Sequence, residues 1–157
     1  MQSAKPLKRH KFLQPLSHGH HHSLLLCWKI RTGLQKQVEV SRIKRYTDWF
    51  FEQHVLPHFQ QEEQYLFPVL GETHPLVKRA LAEHRRLTRL FTGNEKIKRN
   101  LSLLEEELEG HIRFEERILF QKIQEVAAEN QLDFTTISHP EPTFEENTED
   151  VFWKTNN

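Results

Sequence analysis

Two stretches of this 157-residue chain are near copies. His58-Phe-Gln-Gln-Glu62-Glu63-Gln-Tyr-Leu66-Phe67 aligns with His111-Ile-Arg-Phe-Glu115-Glu116-Arg-Ile-Leu119-Phe120. Both read His-x3-Glu-Glu-x2-Leu-Phe. A step of four residues turns a helix about 40° past a full circle and rises about 6 Å. An imidazole and a carboxylate at that spacing therefore point the same way, and both are donors to a cation. Two further histidines, His20 and His84, fall on apolar stripes of their own. Four imidazoles and two carboxylates facing one core would cost several kcal/mol for every unpaired charge. A cation bound among them removes that cost. The expected metal ligands are His20, His58, Glu62, His84, His111 and Glu115, with His21 as the alternative to His20 in the run His18-Gly19-His20-His21-His22. Nitrogen donors with bridging carboxylates suit two iron ions, and also manganese or zinc. Without a cation, neutral imidazoles held in the core would make the fold acid-sensitive. Glu63 and Glu116 are read as solvent-facing, although either could hydrogen-bond a ligand histidine. His54 is read as a boundary residue, and His10, His74 and His139 carry no signal.

Four helices must position these groups. Leu13, Leu16, His20, Ser23, Cys27, Ile30 and Leu34 recur in steps of three and four, a helical stripe ending near Gly33. Ser41 caps a second helix to about residue 70, with Phe51, Val55, His58, Glu62, Leu66 and Val69 inward. Pro57 predicts a kink inside it. Thr73 and Pro75 open a third helix carrying Val77, Ala80, His84, Leu87 and Phe91. The fourth spans about 95–129, with Leu101, Leu104, Leu108, His111, Glu115 and Ile118 on one face. The expected fold is all-α, an up-down-up-down four-helix bundle over residues 1–132.

Residues 133–157 differ. They hold six acidic residues against one Lys and show no helical stripe, so a disordered acidic tail is expected on composition. The competing reading is docking of Phe144, Val151, Phe152 and Trp153 onto the bundle or a protein partner.

Composition narrows the function classes. Lys and Arg total 22 and so do Asp and Glu, which argues against a nucleic-acid binder living on bulk charge. One cysteine excludes a disulfide framework and a thiolate-only metal site. No apolar run approaches the roughly 18 residues of a membrane span. The basic start lacks an apolar signal region, so a cytoplasmic protein is expected.

The His-rich first helix, HFQQEEQYLFP, AEHRRL and HIRFEERILF together resemble the hemerythrin-like, HHE cation-binding family over about residues 13–129. The resemblance implies a four-helix bundle with a non-heme diiron centre. His20 or His21, His58, His84 and His111 would be terminal ligands, and Glu62 and Glu115 would bridge. Oxygen carriers of the family have a second third-helix histidine where this chain has Thr88. They also place an Asp where Glu116 stands. The ligand set is closer to the repair-of-iron-centres branch. The function implied is reaction with, or sensing of, O2, NO or peroxide, in iron-centre repair or a stress response. The alternatives are a metal-stabilised interaction module and a reversible O2 carrier.

Overall fold

The computed structural model describes residues 13–132 and 143–154. Its helices are α1 (Gln14–Gln35), α2 (Val40–Phe50), α3 (Leu56–Gln61), α4 (Pro75–Thr92), α5 (Ile97–Phe114) and α6 (Phe120–Glu129). Wide π-helical turns at Phe51–Val55 and Glu62–Leu66 join α2 and α3 into one rod that ends in a 3-10 turn, Phe67–Val69. Another at Glu115–Leu119 joins α5 to α6. The result is four rods with short links, an all-α up-down-up-down bundle. Helix α5 packs on α1 and α4, and α2 on α1, α4 and α5.

The apolar stripes are buried along most of their length, but their chemistry is interrupted. Leu26, Cys27, Ile30, Phe50, Phe51, Val55, Phe59, Leu87, Leu104, Leu108 and Ile112 belong to one apolar cluster. Leu13, Leu16, Leu66, Phe67, Ala80, Phe114, Leu119 and Phe120 belong to a second. Each rod passes from one cluster to the other, and each carries a buried histidine at the crossing: His20, His58, His84 and His111. The polar residues thus form a layer across the middle of the core.

Several details differ from the periodicity reading. The second rod begins at Val40 with Glu39 as its first flanking residue, not at Ser41. Pro57 does not break the rod. A proline lacks the N–H that would bond four residues back, and its ring crowds that carbonyl. The wide turn just before it closes with the Leu56 N–H on the Phe51 carbonyl, which opens the ladder where the ring needs room. Ile118 is 46% exposed. The wide turn starting at Glu115 inserts an extra residue into the period, so Leu119 takes the inward position instead. His74, which showed no pattern in the sequence, caps α4: its Nδ1 accepts from the Leu76 N–H at 3.1 Å, and Pro75 follows at the first helical position. Gly71, at φ +93°, supplies the left-handed turn after the second rod.

Gly33 lies inside α1, just short of its end at Gln35, as the stripe predicts. Its role is close approach. A Cβ there would sit 2.7 Å from a ring carbon of Phe152. That ring is fully buried and Trp153 nearly so, both within the first apolar cluster. Residues 143–154 are therefore not a loose acidic tail, and residues 133–142 lie outside the described part. The acidic groups of the segment meet cations of the bundle. Glu146 pairs with the buried Lys29 at 2.6 Å and accepts from the Tyr46 hydroxyl. Asp150 pairs with Arg42 at 2.7 Å. The Lys36 ammonium donates to the Trp153 carbonyl at 2.9 Å. Composition reads such a segment as unable to bury apolar area. It misses three aromatic residues and a set of counter-charges waiting on α1 and α2.

Candidate metal centre

His20 is brought in from α1, His58 from α3, His84 from α4 and His111 from α5, all buried. Glu62 and Glu115, each the first residue of a wide turn, have no exposed area. His21, the alternative first-helix ligand, is on the exposed side of α1. One residue rotates a helix by about 100°, so only one of two adjacent histidines can face the layer.

The donors form two overlapping groups: His20, His58, Glu62 and Glu115; and Glu62, His84, His111 and Glu115. Both carboxylates belong to both groups. Glu62 Oε2 lies 3.4 Å from His58 Nε2 and 3.8 Å from His20 Nε2, while its Oε1 is 3.1 Å from His84 Nε2. Glu115 Oε1 lies 3.0 Å from His20 Nε2 and 3.3 Å from His111 Nε2, and its Oε2 is 3.6 Å from His84 Nε2. Donors held about 2.0–2.2 Å from one ion are separated from each other by roughly 3.0–3.5 Å. Most of these spacings fall near that range. Several of the close atoms are not hydrogen-bonded to one another: both Glu62 oxygens, Glu115 Oε2, and Nε2 of His84 and His111 are buried without a hydrogen-bond partner. Buried polar atoms without partners are costly, and these converge. A cation between them satisfies the set, so the residues fit a metal.

The outer nitrogens are held as well. His84 Nδ1 lies 2.7 Å from Glu63 Oε2, and His111 Nδ1 lies 2.7 Å from Glu83 Oε1. His20 Nδ1 differs: it is buried without a hydrogen-bond partner, 3.5 Å from Glu116 Oε1, and Glu116 accepts from the Ser17 hydroxyl at 3.1 Å. A carboxylate behind an imidazole fixes the ring and leaves the inner nitrogen's lone pair for a metal. Glu63 is exposed, as its solvent-facing reading expects, yet its carboxylate also reaches His84 Nδ1; Glu116 is half-buried and lies beside His20. Glu83 was missed. It precedes His84 by one residue and reaches across to α5, and only its place beside a stripe histidine could have flagged it. Aromatic rings close the layer. Phe59 stacks on His84 with centroids 3.8 Å apart, and Phe120 stacks on His20 at 5.4 Å. Thr88 does not face the centre as a ligand would, because its hydroxyl donates to the His84 carbonyl at 2.8 Å.

Electrostatics of the metal-free site correct one expectation. Burial by itself would lower the His84 pKa, but the carboxylates of Glu115, Glu62 and Glu63 around it outweigh burial and raise it to about 11. Burial likewise opposes the rise at His111, where the Glu115 charge dominates the gain and the value reaches about 9. His20 is also raised, against its burial, by Glu115 and Glu116. Glu115 is held well below the ordinary range despite burial, because His111, His20 and His84 surround it. Without metal these surroundings favour the charged imidazole. For His84 and His111 the folded pKa exceeds the unfolded value, so their stabilisation is complete below about pH 6.5 and is lost as pH rises through about 9 to 11. Glu115 contributes in the opposite sense, losing its stabilisation only as pH falls through its depressed pKa. The metal-free protein should therefore be sensitive to alkali rather than to mild acid.

Metal must displace those protons, because only neutral imidazole coordinates. Loading at pH 7 is expected to release protons from at least His84 and His111. Calorimetric titration in buffers of different ionisation enthalpy measures the number. Release of none would show that the histidines are already neutral.

A helical bundle with a buried layer of histidines and carboxylates defines a class, the cation-binding four-helix bundles. The family model described as hemerythrin HHE cation binding domain matches residues 13–123. The chain belongs to that family. No curated protein and no solved structure shows a significant match to it. Among the described residues no helix is long and apolar enough to cross a membrane.

Proposed function

We propose that this chain is a non-heme diiron protein that reacts with or senses O2, NO or peroxide, in iron-centre repair or a stress response. The observation that carries the reading is the sharing of Glu62 and Glu115 by two donor groups, each with two histidines of its own. Two adjacent ions, each with a histidine pair of its own, account for that sharing. His20 and His58 would hold one, His84 and His111 the other. Two iron ions held there would supply electrons and open coordination positions for a small ligand. The chain's own residues do the rest. Glu63 and Glu83 orient the imidazoles of His84 and His111, and Phe59, Phe67 and Phe120 keep bulk water from the layer. The Thr88 hydroxyl, turned into its own helix, adds no ligand beside His84. That favours irreversible reaction over reversible O2 carriage.

Protein purified without oxygen should contain about two iron atoms per chain, one for each donor group. Its absorption spectrum should change on exposure to O2 or NO and should not return to the starting spectrum over repeated cycles of oxygen removal. Stoichiometric zinc with no spectral response would overturn the reading. Full recovery over several cycles would establish the carrier instead.

A further inference from the structure

The metal layer has one conspicuous neighbour. A cavity of about 410 Å³ lies between α1 and the α2–α3 rod and reaches the ligand His58. Three further histidines line it: His18 and His22, one helical turn apart on α1, and His54 from the wide turn before α3. The mechanism above uses none of them. Their arrangement is not that of a closed chelate, since among the described residues only the two donor groups of the layer gather tightly enough to hold an ion. What stands against two of the three is Phe144. Its ring stacks on His22 with centroids 4.2 Å apart and leans on His54 at 4.8 Å. Phe144 lines the same cavity and is carried by the docked C-terminal segment. Nδ1 of His22 is itself buried without a hydrogen-bond partner.

Resting on the metal-binding reading above, we infer that this cavity is the entry site for the divalent cation, with His18, His22 and His54 capturing it ahead of His58. The chemistry is that of a transient relay. Imidazoles bind borderline transition cations well, and a site that must pass its ion onward cannot hold it in a complete, rigid shell. The layer itself is buried and walled by aromatic rings, so a hydrated cation needs a place to exchange water for nitrogen before it enters. The cavity supplies that place, and His58 stands at its inner end as the first permanent ligand. Phe144 partly fills the position where the capturing imidazoles could converge. Its ring is the gate residue of this route.

The test is the rate of loading. Metal-free full-length chain is mixed with Co2+, and the growth of the bound-ion absorption is followed in time alongside the final stoichiometry. The combined His18→Gln, His22→Gln and His54→Gln variant is expected to load about tenfold more slowly or worse, the size of effect seen when a residue supporting a metal site is lost. Its final stoichiometry should equal that of the unmodified chain. Phe144→Ala should load faster. His21→Gln, on the exposed side of α1, should load at the unmodified rate. Unchanged loading by the triple variant would overturn the relay. So would a reduced final stoichiometry, because those histidines would then belong to the permanent site. Failure of the unmodified chain to take up two ions would instead count against the diiron reading, so the two ideas fail separately.

Discussion

A chain carrying both Glu62→Ala and Glu115→Ala should purify with essentially no bound metal. Each carboxylate spans the two donor groups, one oxygen toward His58 and the other toward His84 for Glu62, and toward His111 and His84 for Glu115. Removing both takes away every oxygen donor in the layer and leaves four buried imidazoles facing one another. The loss is not confined to metal. In the metal-free state these carboxylates are the counter-charges of His84, His111 and His20, and stripping a buried charge of its partner costs about 3–5 kcal/mol. The double variant should therefore melt well below the metal-free form of the unmodified chain, with the gap read by thermal unfolding of the two apo proteins side by side. His20→Ala should also lose metal, whereas His21→Ala should retain it, which separates facing from mere adjacency. Elemental analysis showing a normal metal content in the double variant would remove the basis for the shared-carboxylate centre.

The second large effect lies away from the metal. Phe152→Ala should destabilise the fold by about 3–5 kcal/mol, the usual cost of emptying a large aromatic from a core. The ring is fully buried against Gly33, where no side chain intervenes, and it meets Tyr46 and Trp153 edge-on at 5.6 and 5.1 Å. Its loss also loosens the segment that brings Glu146 to the buried Lys29, whose ammonium lies 4.2 Å from the Trp153 ring centre as well. Metal stoichiometry should stay unchanged, because none of these residues belongs to the layer. Chemical denaturation of metal-loaded protein measures the loss. A change within about 0.5 kcal/mol, the range of ordinary surface substitutions, would mean that the segment is not part of the folded core.

The sequence makes the bundle and the inner ligands legible for one physical reason. Burying a residue on a helix requires a period near 3.6, and a charged or imidazole group at such a position stands out against Leu and Phe. His58, Glu62, His84, His111 and Glu115 are all visible in this way. His20 and His21 are adjacent, and their separation depends on the exact rotation of α1, which the few stripe residues around them do not determine. Ile118 was misplaced because a regular period cannot register an inserted wide turn. The carboxylates behind the histidines were obscure for a different reason. Glu63, Glu83 and Glu116 lie on the shoulders of their helices, where a long side chain reaches either solvent or a neighbouring rod, and pattern alone does not separate those outcomes. The docking of residues 143–154 depends on contacts with α1 and α2 more than a hundred positions away in the chain, and no local signal encodes such pairing.

The division of the core into two apolar clusters by a polar layer bears on how the molecule melts. Cooperative unfolding needs the two ends of the bundle to feel each other, and apolar contact is the usual medium. Here much of the communication between the ends crosses histidine and glutamate. Metal bound in the layer would act as the mortar between two courses of brick, tying all four rods at one level so that neither end opens without straining the other. Loss of metal should leave two half-cores joined mainly by helix backbone and ion pairs, and hydrogen exchange should show the ends opening more independently than in the loaded protein. Retention of metal would thus determine whether the chain behaves as one cooperative unit, quite apart from any reaction carried out at the centre.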